Sequence, residues 1–177
     1  MGLGISWGPS TWYLLHVLSL NWQQKYVPLY ITFLNLISRT VPCMDCKRHF
    51  NRNVRITGGI NSNCKSKEKM VNWLIDLHNR VNKSNRKKVF SYDKAKNFYY
   101  KNGNLIYKRH HLITFMREYI GYNFKIMPHK SLKMMIILAK MFPFERKRKR
   151  FEVFLRRNNI RRIGRIRWLK RYKKILM

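Results

Sequence analysis

Apolar residues recur every three or four positions along nearly the whole chain, which is the spacing of one face of an α-helix. The first such segment, residues 9–22, begins with Pro and Ser, a pair typical of a helix start. A second runs from residue 28 to 41, and a third begins at a pair of cysteines and continues to about Val54. The pattern predicts an all-α fold.

Two further helices are predicted before residue 104. Ser66 begins the fourth, whose apolar stripe contains Met70, Trp73, Leu74, Leu77, His78 and Val81. The Gly- and Asn-rich stretch 57–63 predicts a turn ahead of it. Residues 90–100 predict a short fifth helix, closed by Lys-Asn-Gly-Asn at 101–104.

The character of the chain changes near residue 105. Residues 145–177 contain fifteen Lys or Arg and two acidic residues. Apolar positions still recur at helix-like intervals there, at Phe151, Phe154, Leu155, Ile163, Ile166, Leu169 and Ile175. We therefore interpret 1–104 as a compact helical domain and 105–177 as a basic helical extension.

The composition indicates a folded and strongly basic protein. Of the 177 residues, 45% are hydrophobic and 14% aromatic, which excludes a disordered chain. Thirty-nine Lys and Arg against seven Asp and Glu give a formal net charge of +32. This charge predicts attraction to nucleic acid, anionic membrane or acidic proteins, and does not choose among them.

The paired cysteines, Cys43 and Cys46 in VPCMDCKRHF, are the first candidate for chemistry. Cys43 follows Pro42 at a predicted helix start, where free backbone N–H groups and the positive charges of Lys47 and Arg48 favour a thiolate. The pair could be a redox centre, half of a zinc site or inert thiols. A thioredoxin-like site would need a βαβ pattern, and the surroundings are helical.

Zinc needs two further ligands at a suitable distance. The available candidates are Cys64 with one of the histidines His49, His78 or His110. The sequence contains no second C-x-x-C and no H-x₃₋₅-H, so we expect no metal. A redox pair on a helical scaffold, passing electrons to a cofactor, is the better interpretation.

A second candidate is HNRVN, residues 78–82, late in the fourth predicted helix. His78 and Asn82 share a helix face, and another apolar-face histidine, His16, lies between Trp12 and Trp22 in the first helix. A lone histidine on such a face is usually a core residue. Two polar-aromatic faces on different helices favour a shared planar ligand.

Three motifs occur in order: WGPSTWYLLH (7–16), C-x-x-C (43–46) and HNRVN (78–82). Together they resemble the Erv/ALR family of FAD-dependent sulfhydryl oxidases, in particular the short forms carried by large DNA viruses. The resemblance covers residues 7–100. It implies a four-helix bundle with a short fifth helix, FAD bound at one end of the bundle, and a homodimer.

The resemblance also implies site residues by motif position. The first helix would line the cofactor's adenine side with Gly8, Trp12 and His16, and Trp22 falls where the family keeps an aromatic. The remaining implied FAD contacts are Cys46, His78, Asn79, Val81, Asn82, Lys87, Phe90 and Tyr99.

The implied reaction begins with a protein dithiol, or a thioredoxin-like relay protein, attacking the Cys43–Cys46 disulfide at Cys43. Cys46 would pass two electrons to FAD, and O₂ would be reduced to H₂O₂. No second, shuttle Cys pair is present, and Arg55 and Ile75 occupy the positions of the family's structural disulfide. We expect Cys64 to be a free loop thiol, with an intersubunit disulfide as the alternative.

The role of residues 105–177 stays open between an extra helical subdomain with solvated charged faces and a contact with nucleic acid or anionic membrane through 145–177. The interleaved aromatics Phe151, Phe154, Trp168 and Tyr172 suit base stacking or insertion at a membrane surface. Acidic substrate proteins or a second dimer contact are further options. The rival function is a basic helical nucleic-acid-binding protein whose Cys pair holds zinc.

The N-terminus bears on location. MGLGISWGPS lacks the basic start and apolar core of a secretory signal, and no apolar run approaches the roughly 18 residues of a membrane span. We expect the host cytoplasm, the nucleus or the virion. MGLGIS also matches the myristoylation pattern at Gly2.

Overall fold

The computed structural model describes residues 7–101, 104–157 and 165–176. Within these ranges the regular elements are helices, apart from one short two-stranded ribbon, so the predicted all-α fold is confirmed. The myristoylation pattern at Gly2 and the central positions of the turn at 101–104 lie outside the described residues. In the described residues no helix is long and apolar enough to cross a membrane.

Contacts divide the chain into two units. One comprises residues 12–106, and the other comprises residues 7–11 together with those from 107 onward. The domain limits inferred from the sequence, 1–104 and 105–177, stay a prediction.

The 12–106 unit contains four longer helices and several short elements. The longer helices are α1 (Trp7–Leu20, from Trp12), α2 (Val27–Thr40), α3 (Met44–Ile56) and α5 (Lys67–Ser84). The short elements are a 3₁₀ turn at Gln24–Tyr26, α4 (Gly59–Asn63), α6 (Tyr92–Asn97), β1 (Tyr100–Lys101) and β2 (Asn104–Leu105). The two strands pair antiparallel, with Tyr100 opposite Leu105.

Side-chain caps explain where several helices begin. Ser66 accepts a hydrogen bond from Lys69 N at 3.2 Å, as the sequence predicts for the start of α5. Ser91 caps α6 in the same way through Lys94 N. Pro28 lies in the first turn of α2, where its missing N–H leaves no partner unsatisfied.

The segment 57–63 differs from its prediction as a plain turn. Gly58 and Gly59 have φ values of 89° and 80°, a left-handed conformation that other residues rarely adopt, and they reverse the chain. The residues after them form the short helix α4, because Ile60 is buried and the Asn63 amide donates to Thr57 O and Gly59 O. The Gly and Asn content of this segment therefore predicted the chain reversal correctly but gave no indication of helix α4.

The core of the 12–106 unit lies where α2, α3 and α5 pack together, with α1 contributing its apolar side. Its almost fully enclosed aliphatic and aromatic side chains include Leu14, Leu15, Val17, Leu18, Tyr30, Phe33, Leu34, Ile37, Leu74 and Leu77. Burial of one such side chain stabilises a fold by about 1.5–3 kcal/mol. This core holds rigid the helix faces that carry the candidate site.

The second unit is also helical. Its elements are α7 (Arg109–Thr114), a π-helical segment (Phe115–Ile120), α8 (Gly121–Ile126), α9 (Pro128–Met141), α10 (Glu145–Arg157) and α11 (Arg165–Leu176). Helix α9 packs on α8 and α10, and α10 packs on α11. From Arg109 onward the chain is thus mainly helical, as predicted, over the part that the structure describes.

The four aromatic residues of α10 and α11 are not available for contact with a partner. Phe151, Phe154, Trp168 and Tyr172 are all buried, and Trp168 exposes 1% of its surface. The expectation that they would stack on bases or insert into a membrane is wrong, because they form the core between α10 and α11. Of the predicted apolar stripe, Ile163 and the side chains of Ile166 and Leu169 lie outside the described residues.

Candidate active site

Cys43 and Cys46 lie at the start of α3, as the sequence predicts. Cys43 is the N-cap residue, and its Sγ accepts a hydrogen bond from Cys46 N at 3.2 Å. Both sulfurs are free thiols in this structure. The C-x-x-C spacing thus places one sulfur at the cap and the other in the first helical turn, close enough for a thiol hydrogen bond between them.

The two thiols of this pair are electrostatically unequal. Hydrogen bonds from the Cys46 thiol and the Cys46 N–H lower the pKa of Cys43. Burial, followed by the hydrogen bond to Cys43, raises the pKa of Cys46 to about 11. A single negative charge on the reduced pair therefore resides on Cys43.

Arg48 stabilises a Cys43 thiolate less than the sequence predicts. Its guanidinium donates to Asp45 in an exposed ion pair one turn into α3. The positive charge that the sequence places near Cys43 is thus partly neutralised within the helix. The hydrogen bonds at the helix start, rather than the basic side chains, lower the pKa of Cys43.

Exposure of the two residues runs against the expectation that Cys43 is the more accessible. Cys46 as a whole residue is exposed, whereas Cys43 is partly buried. The pKa of the Cys46 thiol is nevertheless raised first by burial. Cys46 is therefore exposed as a residue although its sulfur is partly enclosed. The access of the attacking thiol to the sulfur matters more for thiol exchange than the exposure of the whole residue.

Phe50 lies on the same helix as the dithiol and packs into the interior of the unit. It lies four residues after Cys46, one turn along α3, and it is buried. Its ring centroid is 6.2 Å from that of Trp12 on α1. The sequence analysis missed Phe50, although its spacing of four from Cys46 was a usable signal.

A cluster of rings from α1, α5 and the segment after α6 lies beyond Phe50. Trp12 and His78 stack with centroids 4.2 Å apart and an interplanar angle of 5°. His16 Nε2 and His78 Nδ1 share a hydrogen bond of 3.0 Å. Tyr99 packs on His16 at 5.0 Å. The structure thus brings together four residues that the resemblance assigned to one site, although they span 88 positions of sequence.

Both histidines of this ring cluster are neutral at physiological pH. Burial, with the nearby His78, lowers the pKa of His16 to about 3. Burial, with the positive charge of Lys87, lowers the pKa of His78 to about 4. The hydrogen bond between them therefore joins two neutral imidazoles, one donating and one accepting.

The amides of HNRVN contact a loop instead of the rings. The Asn79 side chain donates to Phe90 O at 2.8 Å and accepts from Phe90 N at 3.0 Å. The Asn82 side chain donates to Lys88 O at 3.3 Å, and the Asn82 backbone carbonyl accepts from Lys87 N at 2.8 Å. These bonds hold residues 85–91 against the end of α5.

This loop is basic and its backbone is constrained. Arg86 has φ 55°, a left-handed conformation that is uncommon for residues other than glycine. Lys87 and Lys88 are exposed, and Phe90 exposes 45% of its surface. Val81, the remaining predicted residue of the motif, is half-buried on α5.

Gly8 and Trp22 have surroundings of their own. Gly8 lies in the first turn of α1, and a Cβ there would have no heavy atom within 4 Å. The Trp22 indole N–H donates to Cys64 O at 3.1 Å. Their predicted contacts with a cofactor stay predictions.

Cys64 and the two positions of the family's structural disulfide, Arg55 and Ile75, lie in different surroundings. Cys64 is the C-cap residue of α4 and is fully buried, and burial raises the pKa of its thiol to about 12. It is a free thiol, as expected, but an enclosed one. Arg55 is exposed on α3 and Ile75 is buried on α5, so these positions hold a surface cation and a core residue.

A zinc site receives no support from this geometry. Among the described residues, no three His, Cys, Asp or Glu side chains come close enough together to hold a metal ion. Cys43 and Cys46 would need two further ligands for a structural zinc site. The alternative of a zinc-bound Cys pair therefore lacks its ligand set in the described part of the chain.

The ring cluster and its basic loop suit a planar, anionic ligand. Trp12 and His78 are only half-buried, so part of each ring's surface is accessible. Neutral imidazoles provide both hydrogen-bond donors and acceptors, and the exposed Lys87 and Lys88 provide positive charge on the adjoining loop. Such a donor set matches a nucleotide cofactor with an aromatic ring system and phosphates.

These features define a class: a helical protein with a dithiol at a helix start, on the same helix as an aromatic side chain that packs against a candidate cofactor site. Comparison with known families narrows the class. The profile of the Erv1/Alr family matches residues 9–101, which is more than half of the chain. The chain belongs to the Erv1/Alr family.

The names of similar curated proteins agree with this family assignment. An FAD-linked sulfhydryl oxidase of African swine fever virus is 31% identical over 102 residues, covering 54% of this chain and 81% of that protein. The mitochondrial FAD-linked sulfhydryl oxidase of Saccharomyces cerevisiae is 33% identical over 89 residues, covering 47% and 44%. An FAD-linked sulfhydryl oxidase of Arabidopsis thaliana is 34% identical over 90 residues, with the same coverage. No solved structure is a significant match.

Proposed function

We propose that this protein is an FAD-dependent sulfhydryl oxidase that converts protein dithiols to disulfides and delivers the electrons to O₂, forming H₂O₂. The observation that carries the proposal is that Phe50, one helical turn beyond Cys46 on α3, packs near Trp12, which stacks on His78. Membership of the Erv1/Alr family and the names of the relatives support it.

The residues that would hold FAD are those of the ring cluster and its basic loop. Trp12, His16, His78 and Tyr99 offer aromatic surface and neutral polar nitrogens, and Lys87 offers a charge for the pyrophosphate. Asn79 and Asn82 would act by positioning the loop, because their side chains bond its backbone. Bound FAD supplies a two-electron acceptor that O₂ can reoxidise.

The dithiol performs the exchange with the substrate. A substrate thiolate attacks one sulfur of the oxidised pair, forming a mixed disulfide and releasing the other sulfur as a thiolate. The second substrate thiol then attacks the mixed disulfide, which releases oxidised substrate and leaves Cys43 and Cys46 reduced. Two substrate thiols have thus lost two electrons and two protons, which balances the reduction of O₂ to H₂O₂.

We propose Cys43 as the sulfur that the substrate attacks. The position of Cys46 on α3, one turn before Phe50, supports this assignment because it places Cys46 toward the ring cluster. The greater whole-residue exposure of Cys46 points the other way. So does the lowered pKa of Cys43, since a sulfur of low pKa is the better leaving group.

Trapping separates the two assignments. In each variant the remaining sulfur of the pair is first converted to its mixed disulfide with thionitrobenzoate, and a substrate variant with a single thiol then attacks that sulfur and releases thionitrobenzoate. Cys46→Ser, which retains Cys43, should form the protein–substrate disulfide rapidly, detected by intact mass. Cys43→Ser should form it much more slowly. Rapid trapping on Cys46 in the Cys43→Ser variant, with little on Cys43, would reverse the order of the two sulfurs.

Protein dithiols, or a thioredoxin-like relay protein, are the proposed substrates, and the sequence contains no second Cys pair to carry electrons to Cys43. Met44, between the two cysteines, exposes 68% of its surface and offers an apolar contact beside the reactive sulfurs.

We also propose that the protein is a homodimer. Sedimentation velocity would test this oligomeric state.

The purified protein tests the function as a whole. It should contain bound flavin, consume O₂ in the presence of a dithiol and accumulate H₂O₂. A colourless protein with one zinc ion per chain, inert toward O₂ and dithiol, would instead support the nucleic-acid-binding alternative with a zinc-bound Cys pair.

A further inference from the structure

Positive charge is most concentrated in the unit from residue 107 onward. Residues 107–177 hold 22 Lys and Arg against three acidic residues, whereas residues 1–106 hold 17 against four. The thiol-exchange steps proposed for Cys43 and Cys46 involve no residue of this unit. The concentration of cations on α10 and α11 therefore needs an explanation of its own.

Helices α10 and α11 are joined by an aromatic seam, which consists of Phe151, Phe154, Trp168 and Tyr172. Phe151 stacks on Tyr172 at 4.6 Å, and Phe154 packs edge-on against Trp168 at 5.0 Å. Lys147 Nζ also donates to Ile175 O at 3.0 Å, which ties the two helices together. The seam occupies the side of each helix that faces the other, and α10 also packs on α9 and α11 on α7.

The solvent-facing sides carry cations. On α10 these include Arg146, Arg156 and Arg157, and on α11 they include Arg167, Lys170 and Lys174, all exposed. The two helices together contain thirteen Lys and Arg but only Glu145 and Glu152 as acids. Glu145 is already engaged with Lys149 at 3.1 Å. Internal ion pairs can therefore neutralise only a small share of this charge, and a polyanion from outside is the natural counter-charge.

We infer that the outward faces of α10 and α11 bind double-stranded nucleic acid through its phosphate backbone, without reading its sequence. A duplex carries one negative charge about every 1.7 Å along its axis, and releasing its counterions drives binding by Arg and Lys. Arginine predominates on these faces, and its planar fork matches phosphate oxygens.

The burial of the aromatic seam selects the duplex over other polyanions. Single-stranded nucleic acid is held by stacking of bases on exposed aromatic rings. The four aromatics of α10 and α11 are buried and cannot provide this. Insertion into a membrane needs exposed apolar side chains on the basic face. Among the described side chains of these helices, the large apolar residue that is exposed is Val153, at 42%.

The test uses full-length protein and a labelled duplex of mixed sequence, about twenty base pairs long, followed by fluorescence anisotropy across a salt series. The variant carries Arg146→Gln, Arg157→Gln, Arg167→Gln and Lys174→Gln. Loss of four phosphate contacts should lower the slope of log affinity against log salt by about 3 to 4, and affinity should fall at least about tenfold near 0.1 M salt.

A matched control removes the same charge from the other unit, through Lys65→Gln, Lys67→Gln, Lys69→Gln and Lys94→Gln, all at exposed positions. It should keep affinity within about threefold of the parent. Oxidation of a small dithiol should be unchanged in both variants. If the first variant misfolds by circular dichroism, Arg156→Gln with Lys170→Gln tests the same faces and should lower the slope by about 2.

Three results would overturn the inference. The first is an equal loss of affinity in both charge variants, which would mean that net charge alone attracts DNA. The second is tighter binding of a single strand than of the duplex. The third is binding to phosphatidylserine vesicles that depends on Arg146, Arg157, Arg167 and Lys174 while duplex binding does not, which would make the surface a membrane contact.

Discussion

The two units of this chain use aromatic side chains in opposite ways. In the 12–106 unit, Trp12 and His78 stack on each other yet remain half-exposed. In the other unit, Trp168 and Tyr172 stack on each other with almost no exposed surface. The first arrangement leaves ring surface for a ligand, and the second leaves only the basic side of the helices. Similar amphipathic helices thus produce a candidate cofactor site in one unit and a candidate phosphate-binding surface in the other.

Substitution of the dithiol gives the largest expected effect and tests whether the chemistry belongs to the first unit. Cys43→Ser and Cys46→Ser should each lower the rate of O₂ consumption with a dithiol by about 10³-fold or more. Neither should remove bound flavin. Cys64→Ser is the control, because Cys64 is enclosed at the end of α4, and it should keep the rate. A Cys46→Ser enzyme with normal turnover would refute the assigned role of this pair.

Trp168→Ala tests whether the buried seam is the core of the second unit. Removing a fully buried tryptophan should lower the free energy of unfolding by about 3–5 kcal/mol, measured by urea titration of the helical circular dichroism signal. Val153→Ala, at an exposed position on α10, should cost less than about 0.5 kcal/mol. If the two variants are equally stable, Trp168 is not a core residue. Oxidase turnover should survive Trp168→Ala below the unfolding transition.

His16 should make stability depend on pH. Its pKa is about 3 in the folded chain, below its ordinary value of 6.5, so the unfolded chain takes up the proton first as the pH falls. Stability is therefore full above about pH 6.5 and declines as the pH drops toward 3. At pH 5 the loss from His16 is about 2 kcal/mol relative to pH 7. His78 and His111, whose pKa values are lowered to about 4, act in the same direction.

Urea unfolding at pH 7 and pH 5 measures this effect. His16→Gln should narrow the difference between the two pH values. His49→Gln, at an exposed position on α3, should leave the difference as it is in the parent protein. A His16→Gln variant with an unchanged pH dependence would show that folding does not lower the pKa of His16.

The smallest expected effect concerns the loop 85–91. Asn79→Ala removes both side-chain bonds to the Phe90 backbone and should cost about 1 kcal/mol. The Phe90 amide, which donates to Asn79 Oδ1, should then exchange its hydrogen faster, as measured by NMR. Asn85→Ala, at the exposed end of α5, is the matched control and should leave that amide protected. Equal exchange in both variants would mean that the loop is held by other contacts.

Much of the candidate site followed from the sequence, and the order of its motifs identified the dithiol and both histidines. The role of Asn79 and Asn82 in HNRVN did not follow from the sequence. A resemblance between motifs does not show which backbone group each side-chain amide hydrogen-bonds. Asn79 is three residues before Asn82, yet one bonds Phe90 and the other Lys88, on a loop whose path the helical periodicity does not describe. The short helix α4 was missed for a similar reason: its glycines signal a reversal, and the burial of Ile60 decides the rest.

By itself the sequence determined the all-α fold, the start of α5 at Ser66, the helix-cap position of Cys43, and the surplus of positive charge. These features depend on local spacing, capping and composition. Only the tertiary structure decided that Phe50 meets Trp12, that His16 meets His78 across 62 residues, and that Trp168 is buried while Trp12 is not. Periodicity assigns a residue to one side of its helix, but the packing partner on that side depends on contacts between segments far apart in the chain.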